Sequence, residues 1–313
     1  MACGAAGGSA GPGALRPPTP RPLSATAQAT PSRAATTYPL TITDGAGRQV
    51  RLEKAPQRIV SYKASNTETL FALGAGERVV GTDDFSDYPA AAKALPKLGG
   101  VQASLEALIA LQPDLVITVG ARPDFATLLD PYKILVVTLD YKDVSGTLAN
   151  VELLGKVVGK PAEAARVVDE MRRKMAAVEE RTKRASKVRV YYELDSSNPA
   201  TPYTAGPGSF IDDLISMAGG ANVAAGAKGE FPRISAEEIV AANPQVIVIP
   251  TGPFPTGVVD LDAFARRPGW ATVEAVQKGA IHGIDANVIS RPGPRLIEAL
   301  EALAKVIHPE LFG

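Results

Sequence analysis

One stretch of this chain is written twice. Ser104-Leu105-Glu106 opens a run that continues through Leu108 and Ile109 to Pro113, then to the aliphatic segment Leu115-Val116-Ile117. Ser235-Ala236-Glu237 opens a second, through Ile239 and Val240 to Pro244, then Val246-Ile247-Val248-Ile249. The two runs lie 131 residues apart. Serine caps a helix N-terminus, and an acid in the first turn favours the helix dipole. Proline stops the helix and precedes the strand. A capped helix leading straight into a strand is one α/β step. Its repetition at this distance predicts two lobes built to one plan. It also puts one carboxylate, Glu106 or Glu237, at the same corner of each lobe. An ordinary helix start accounts for each acid singly. A two-point docking surface accounts for the pair.

The surrounding pattern agrees with an α/β fold. Residues 38–50 read as a hairpin turning at Asp44-Gly45. Short strands are expected at 58–61, 79–82, 115–120 and 134–139, alternating with helices at 104–112 and 123–132 and one capped by Asn66 or Thr67. The strands are continuously apolar, which implies a parallel sheet covered on both faces. A helix over 145–159 follows. Pro161 then starts a longer helix, whose Ala165, Val168, Met171, Met175 and Val178 recur at helical spacing. Twenty-five residues there would make a rod of about 37 Å, suited to a strut between two lobes. Strands at 188–194, 246–252 and 281–285, a helix at 209–219 and a closing amphipathic helix build the second lobe. The expected organisation is a tether over 1–37, lobes over 38–144 and 187–313, and a helical linker over 145–186.

The tether has its own composition. Of residues 1–36, 28 are Ala, Gly, Pro, Ser or Thr, and Leu15 and Leu23 are the only large aliphatics after Met1. Such a segment buries too little surface to offset its ordering entropy. It contains three arginines and no acid, so the formal net charge of zero is a cancellation against a mildly acidic remainder. That balance excludes nucleic-acid binding through bulk positive charge. The one cysteine, Cys3, excludes an intrachain disulfide and cysteine-based zinc motifs. Cys3, followed by glycine and a small-residue linker, resembles the start of a mature bacterial lipoprotein, where the cysteine is acylated. A free thiol in a flexible tail is the alternative. No run of 18 apolar residues is long enough to span a membrane.

Enzyme readings fail on inventory. The G-x-S-x-G match at residues 7–11 lies in the tether, with no strand before it to form a nucleophile elbow. The two histidines, His282 and His308, form no ligand pair of recognised spacing, so no metal site is expected. Acid pairs such as Asp83-Asp84 and Asp212-Asp213 are adjacent and do not face each other. No cofactor is expected.

From Pro56 onward the motifs PQRIVSYKASNTETLFALGAGERVVG, DFSDYP, SLEALIALQPDLVI, PYTAGPGSFIDDLISMAGGANV, ISAEEIVAANPQVIVI and ISRPGPRLIEALEALAKVIHPE follow one another. In order and spacing they resemble the substrate-binding proteins of ABC importers for vitamin B12, haem and iron-siderophores. SNTE, DFSDYP and PYTAG are most similar to the cobalamin-binding branch. The resemblance implies two Rossmann-like lobes joined by a long rigid helix, a ligand cleft between them, and a monomeric receptor outside the cytoplasm. It implies that Glu106 and Glu237 meet arginines of the permease, and that Cys3 is the membrane anchor. It implies that Phe85, Tyr203 and Phe231 are aromatic ligand contacts, with Tyr88 a further candidate. A corrin is a broad, mostly apolar disc with amide arms, which aromatic faces suit. A tryptophan that such receptors can carry ahead of the first docking helix is replaced by Gly99-Gly100, which predicts a wider or more mobile cleft. The rival ligand is an anionic metal chelate, for which Arg233 and Arg291 are candidates. Arg295 is a third candidate, though a solvated or capping role at the helix start is the favoured expectation for it.

Overall fold

The structure is a computed structural model that describes residues 35–100, 104–120, 125–195, 197–252 and 261–312. It opens with a hairpin of β1 (Leu40–Thr43) and β2 (Gln49–Leu52), Leu40 opposite Leu52. The Asp44 turn also docks the hairpin. Its buried carboxylate accepts from the backbone N–H groups of Ala46, Arg48 and Thr138 and from the Arg48 guanidinium.

The first sheet contains β3 (Ile59–Ser61), β4 (Val79–Thr82), β5 (Leu115–Val119) and β6 (Leu135–Leu139), all parallel, in the order β4-β3-β5-β6. Around it lie α1 (Ala64–Ala72), α2 (Ala90–Lys93), α3 (Leu105–Ala110) and α4 (Phe125–Leu129). Next come α5 (Val144–Val157) and α6 (Pro161–Thr182). The second sheet runs β11-β10-β7-β9, with β7 (Val188–Asp195), β9 (Gly220–Asn222), β10 (Val246–Thr251) and β11 (Ile281–Asp285) parallel, and β8 (Tyr203–Thr204) antiparallel to β7. Its helices are α7 (Phe210–Met217), α8 (Ala236–Ala242), α9 (Glu274–Gln277), α10 (Ala286–Ile289), α11 (Leu296–Ile307) and α12 (Pro309–Phe312).

Successive strand residues enter different cores, as expected for sheets covered on both faces. Ile59, Leu115, Ile117 and Val137 point into one core that continues through α5 and α6 to Val190, Tyr192, Val248 and α11. Val60, Val116 and Val136 face a separate cluster on the outer side of the first sheet. Tyr191, Ile247 and Ile249 face another on the outer side of the second, around Phe264 and Trp270. The inner core is therefore shared by both lobes.

Three local expectations change. Helix α1 starts two residues before Asn66, with Lys63 at its cap and a backbone φ of 103° there. Asn66 and Thr67 are fully buried and bond inward instead of capping. Helix α6 has 22 residues, about 33 Å, and ends at Thr182. It is not a free strut: Val168, Met171, Met175 and Val178 are buried in the shared core. The 123–132 helix is α4 followed by a 3-10 turn at 130–132, while 123 and 124 lie outside the described residues.

Candidate functional site

A cleft of about 510 Å³ opens where the two sheets present the carboxyl ends of their strands. Ligands of open α/β sheets bind at such ends. Tyr62, Lys63 and Ala64 follow the end of β3, Asp83, Asp84, Phe85 and Asp87 come from the segment after β4, and Thr118 and Val119 from β5. The second lobe supplies Asn287, Ser290 and Arg291 from α10 and the turn after it. A smaller hollow of about 190 Å³ adjoins it, sharing Lys63 and Ser290 and adding Tyr141, Tyr192, Phe210 and Phe231.

Phe85 and Arg291, expected at the ligand, line the cleft, and Phe231 lines the adjoining hollow. Tyr88 does not join them. It lines a separate hollow of about 410 Å³ beside α1 and α6, with the Arg295 guanidinium 3.9 Å from its ring centroid. Tyr203 and Arg233 pair with each other on an exposed edge, the guanidinium 4.2 Å from the ring centroid, and neither is among the cleft residues. Gly100 lines the cleft beside Phe85, and a Cβ at Gly100 would lie 3.0 Å from the Phe85 ring.

Arg295 is not solvated. It occupies the N-cap position of α11 without a side-chain cap bond there, and its guanidinium donates to the Asn287 carbonyl at 3.0 Å and to both oxygens of Glu68, at 3.0 and 2.7 Å. Glu68, on α1, is 2% exposed. Arg291 contacts it at 3.4 Å and reaches Asp87 at 2.5 Å. One buried carboxylate of the first lobe is thus shared by two arginines of the second. Burial pushes the Asp87 carboxyl up, but the Arg291 guanidinium outweighs this and holds it below the usual carboxylate range. Asp83 goes the other way. Burial raises it, only partly offset by the Ser86 hydroxyl and the Lys63 backbone N–H. Burial likewise lowers the Lys63 ammonium, against the pull of Asp83.

The repeated α/β step holds in detail. Ser104 accepts from Ala107 N–H and Ser235 from Glu238 N–H, so Glu106 and Glu237 occupy the same position in α3 and α8. Both acids are exposed and, among the described residues, carry no ion pair. The echo also contains a pair that the sequence reading missed. Arg58 Nε donates to the carbonyl of Gln112, and Arg189 Nε to that of Asn243, again 131 residues apart. Gln112 and Asn243 both adopt positive φ, near 45°, to turn helix into strand. Lys63 and Glu68 were also missed. Their signals were a lysine between a strand and a run of small residues, and a glutamate inside an otherwise buried helix. Cys3 lies outside the described residues.

Two similar α/β lobes with a cleft at the ends of their strands are the architecture of a binding receptor. Among the described residues no cluster of His, Cys, Asp and Glu is placed to hold a metal ion. The sequence profile of the periplasmic binding protein family matches residues 59–288, and the chain belongs to that family. It is a solute-binding component of an ABC importer, not an enzyme. The chain is 32% identical over 283 residues to YvrC of Bacillus subtilis, named as an ABC transporter substrate-binding lipoprotein, covering 88% of this chain and 87% of that one. It is 31% identical over 312 residues to a protein of Halobacterium salinarum named as cobalamin-binding, covering 95% and 80%. Among solved structures, the periplasmic heme-binding protein RhuT of Roseiflexus sp. RS-1 superposes with a TM-score of 0.72 at 28% identity, covering 81% of this chain and 98% of that one.

Proposed function

We propose that this protein captures a corrinoid of the vitamin B12 type in the interlobe cleft and delivers it to its permease. It does so outside the cytoplasm, held to the membrane by an acylated Cys3. The observation that carries the choice of ligand is the charge of the cleft wall. Arg291, the arginine among its described lining residues, is spent on Glu68 and Asp87. Asp83, Asp84 and Asp87 face the same space. A polyanionic chelate, or the carboxylates of a heme, would meet carboxylates there without a free arginine. A corrin, largely apolar and edged with neutral amides, avoids that cost. Phe85 and Phe231 supply aromatic faces, and the relative named as cobalamin-binding supports the same ligand class. For a ferric chelate, the favourable observation is Arg233, exposed and with no acid partner among the described residues.

Calorimetric titration with cyanocobalamin, hemin and a ferric hydroxamate siderophore tests the choice. The corrinoid should bind at least about tenfold more tightly than either rival, about 1.4 kcal/mol. Tighter binding of hemin or the siderophore overturns it. Glu106 and Glu237 are the proposed permease contacts. Replacing both with alanine should weaken association with the permease in lipid vesicles and leave ligand affinity intact. Equal permease affinity for both proteins refutes that role.

A further inference from the structure

Three carboxylates are among the described residues that face the cleft, and two of them are spent. Asp83 accepts from the Ser86 hydroxyl at 2.6 Å and the Lys63 backbone N–H at 3.1 Å, and it acts on the Lys63 ammonium as counter-charge. Asp87 meets the Arg291 guanidinium at 2.5 Å. Asp84 differs from both. It is exposed and, among the described residues, forms no ion pair. The Lys97 ammonium acts on it only from a distance, since it donates to Thr82 Oγ1 and to the carbonyls of Ser86 and Ala92. Two bonds to Gly99 hold Asp84 at the rim. Its backbone N–H donates to the Gly99 carbonyl at 3.3 Å, and its Oδ1 accepts from the Gly99 N–H at 3.2 Å. Gly99 has a φ of 92°, a conformation that favours glycine, so the turn offering this N–H is written into the sequence. Oδ2 carries no hydrogen bond among the described residues. It lies 3.7 Å from where a Cβ at Gly100 would stand, on the side where Gly100 also meets the Phe85 ring.

A carboxylate held at a binding rim with one oxygen unspent accepts a donor and repels another carboxylate. Asp84 and Phe85 are neighbours in sequence and both line the cleft, one with a charge and one with an aromatic face. A corrin offers the matching pair, an apolar ring and an edge of amide arms. We infer that Asp84 is a specificity-determining residue of the cleft: its Oδ2 accepts the N–H of one propionamide arm, and the receptor thereby rejects a corrinoid that carries a carboxylate on that arm. The inference rests on the corrinoid reading and deepens it. Ring packing does not distinguish an amide from the acid of the same shape. A fixed acceptor does, because hydrolysis replaces the donor with an oxygen of like charge. The propionamides are the longer primary amide arms of the ring and reach furthest towards a rim.

The probes are cyanocobalamin and its three propionamide-derived monocarboxylic acids, each with one arm hydrolysed, titrated calorimetrically at neutral pH. The wild type should bind cyanocobalamin about tenfold more tightly than one of the three acids, the scale of one charge-assisted hydrogen bond at an open rim. It should hold the other two acids nearly as well as the parent. Asp84→Asn retains an oxygen for the Gly99 N–H and places an amide where Oδ2 stood, so that ratio should fall to about unity. Asp84→Ala, which removes the acceptor outright, should do the same. Cyanocobalamin binding by either variant reports that the cleft has folded. A wild type that binds all four ligands alike, equal rejection of all three acids, or a ratio that both variants leave unchanged overturns the role of Asp84 and leaves the corrinoid reading standing. If cyanocobalamin itself does not bind the wild type, the corrinoid reading falls and the role of Asp84 with it.

Discussion

Glu193 sits in the middle of β7 with its side chain fully buried, and its survival there depends on Arg267. The guanidinium meets both carboxylate oxygens at 2.7 Å and lies over Phe264 and Trp270, at 3.8 and 4.8 Å from the ring centroids. Removing one member of a buried pair leaves an uncompensated charge. Arg267→Ala should therefore cost about 3–5 kcal/mol in urea unfolding. A loss below about 1 kcal/mol would mean that water reaches Glu193. Asp44 gives a pH-dependent counterpart. Burial raises its carboxyl, but Arg48 and the backbone donors outweigh burial and hold it below the usual carboxylate range. A carboxyl depressed in the folded state stabilises fully above its unfolded pKa and loses that contribution as pH falls through the folded value. Asp44→Asn should cost about 1.5–3 kcal/mol at pH 7, with the gap to wild type closing below about pH 4. A gap independent of pH would exclude the carboxylate as its source.

Among the elements, α5 and α6 show how closely two helices are joined. Gly155 faces Ala164, and a Cβ at Gly155 would collide with the Ala164 side chain and crowd the Lys160 carbonyl. Gly155→Val should destabilise by about 1–3 kcal/mol through overpacking, read from the denaturation midpoint; a neutral result would show that the helices can part there. Periodicity made these helices legible, since Val168, Met171, Met175 and Val178 are all buried where their spacing puts them. Serine caps and the two prolines made the repeated α/β step legible as well. The site was less so, because its chemistry depends on pairings between residues far apart in the chain. Glu68 is 227 positions from Arg295, and only the folded chain brings them to 2.7 Å. The start of α1 was misplaced because Asn66 is a good capping residue in isolation. Tertiary bonds to Tyr62 and Tyr141 claim its side chain instead. Tyr88 was grouped with Phe85 by nearness in sequence, yet the turn between them directs the two rings to different hollows.

At the scale of the molecule, the shared core decides how the lobes can move. Side chains of both sheets, α5, α6 and α11 form one contiguous apolar cluster, and the Glu68 arginines tie the lobes beside it. A wide opening would break that core, so binding should turn the lobes by a few degrees only. Scattering profiles with and without cyanocobalamin should give nearly the same radius of gyration, and a large compaction would contradict a shared core. The central claim is that a corrinoid is held between the two lobes. Amide hydrogen exchange with and without cyanocobalamin tests it most directly. Protection should rise together at residues 62–64 and 83–87 of the first lobe and at 286–291 of the second. Protection confined to one lobe, or absent from both, would contradict the account.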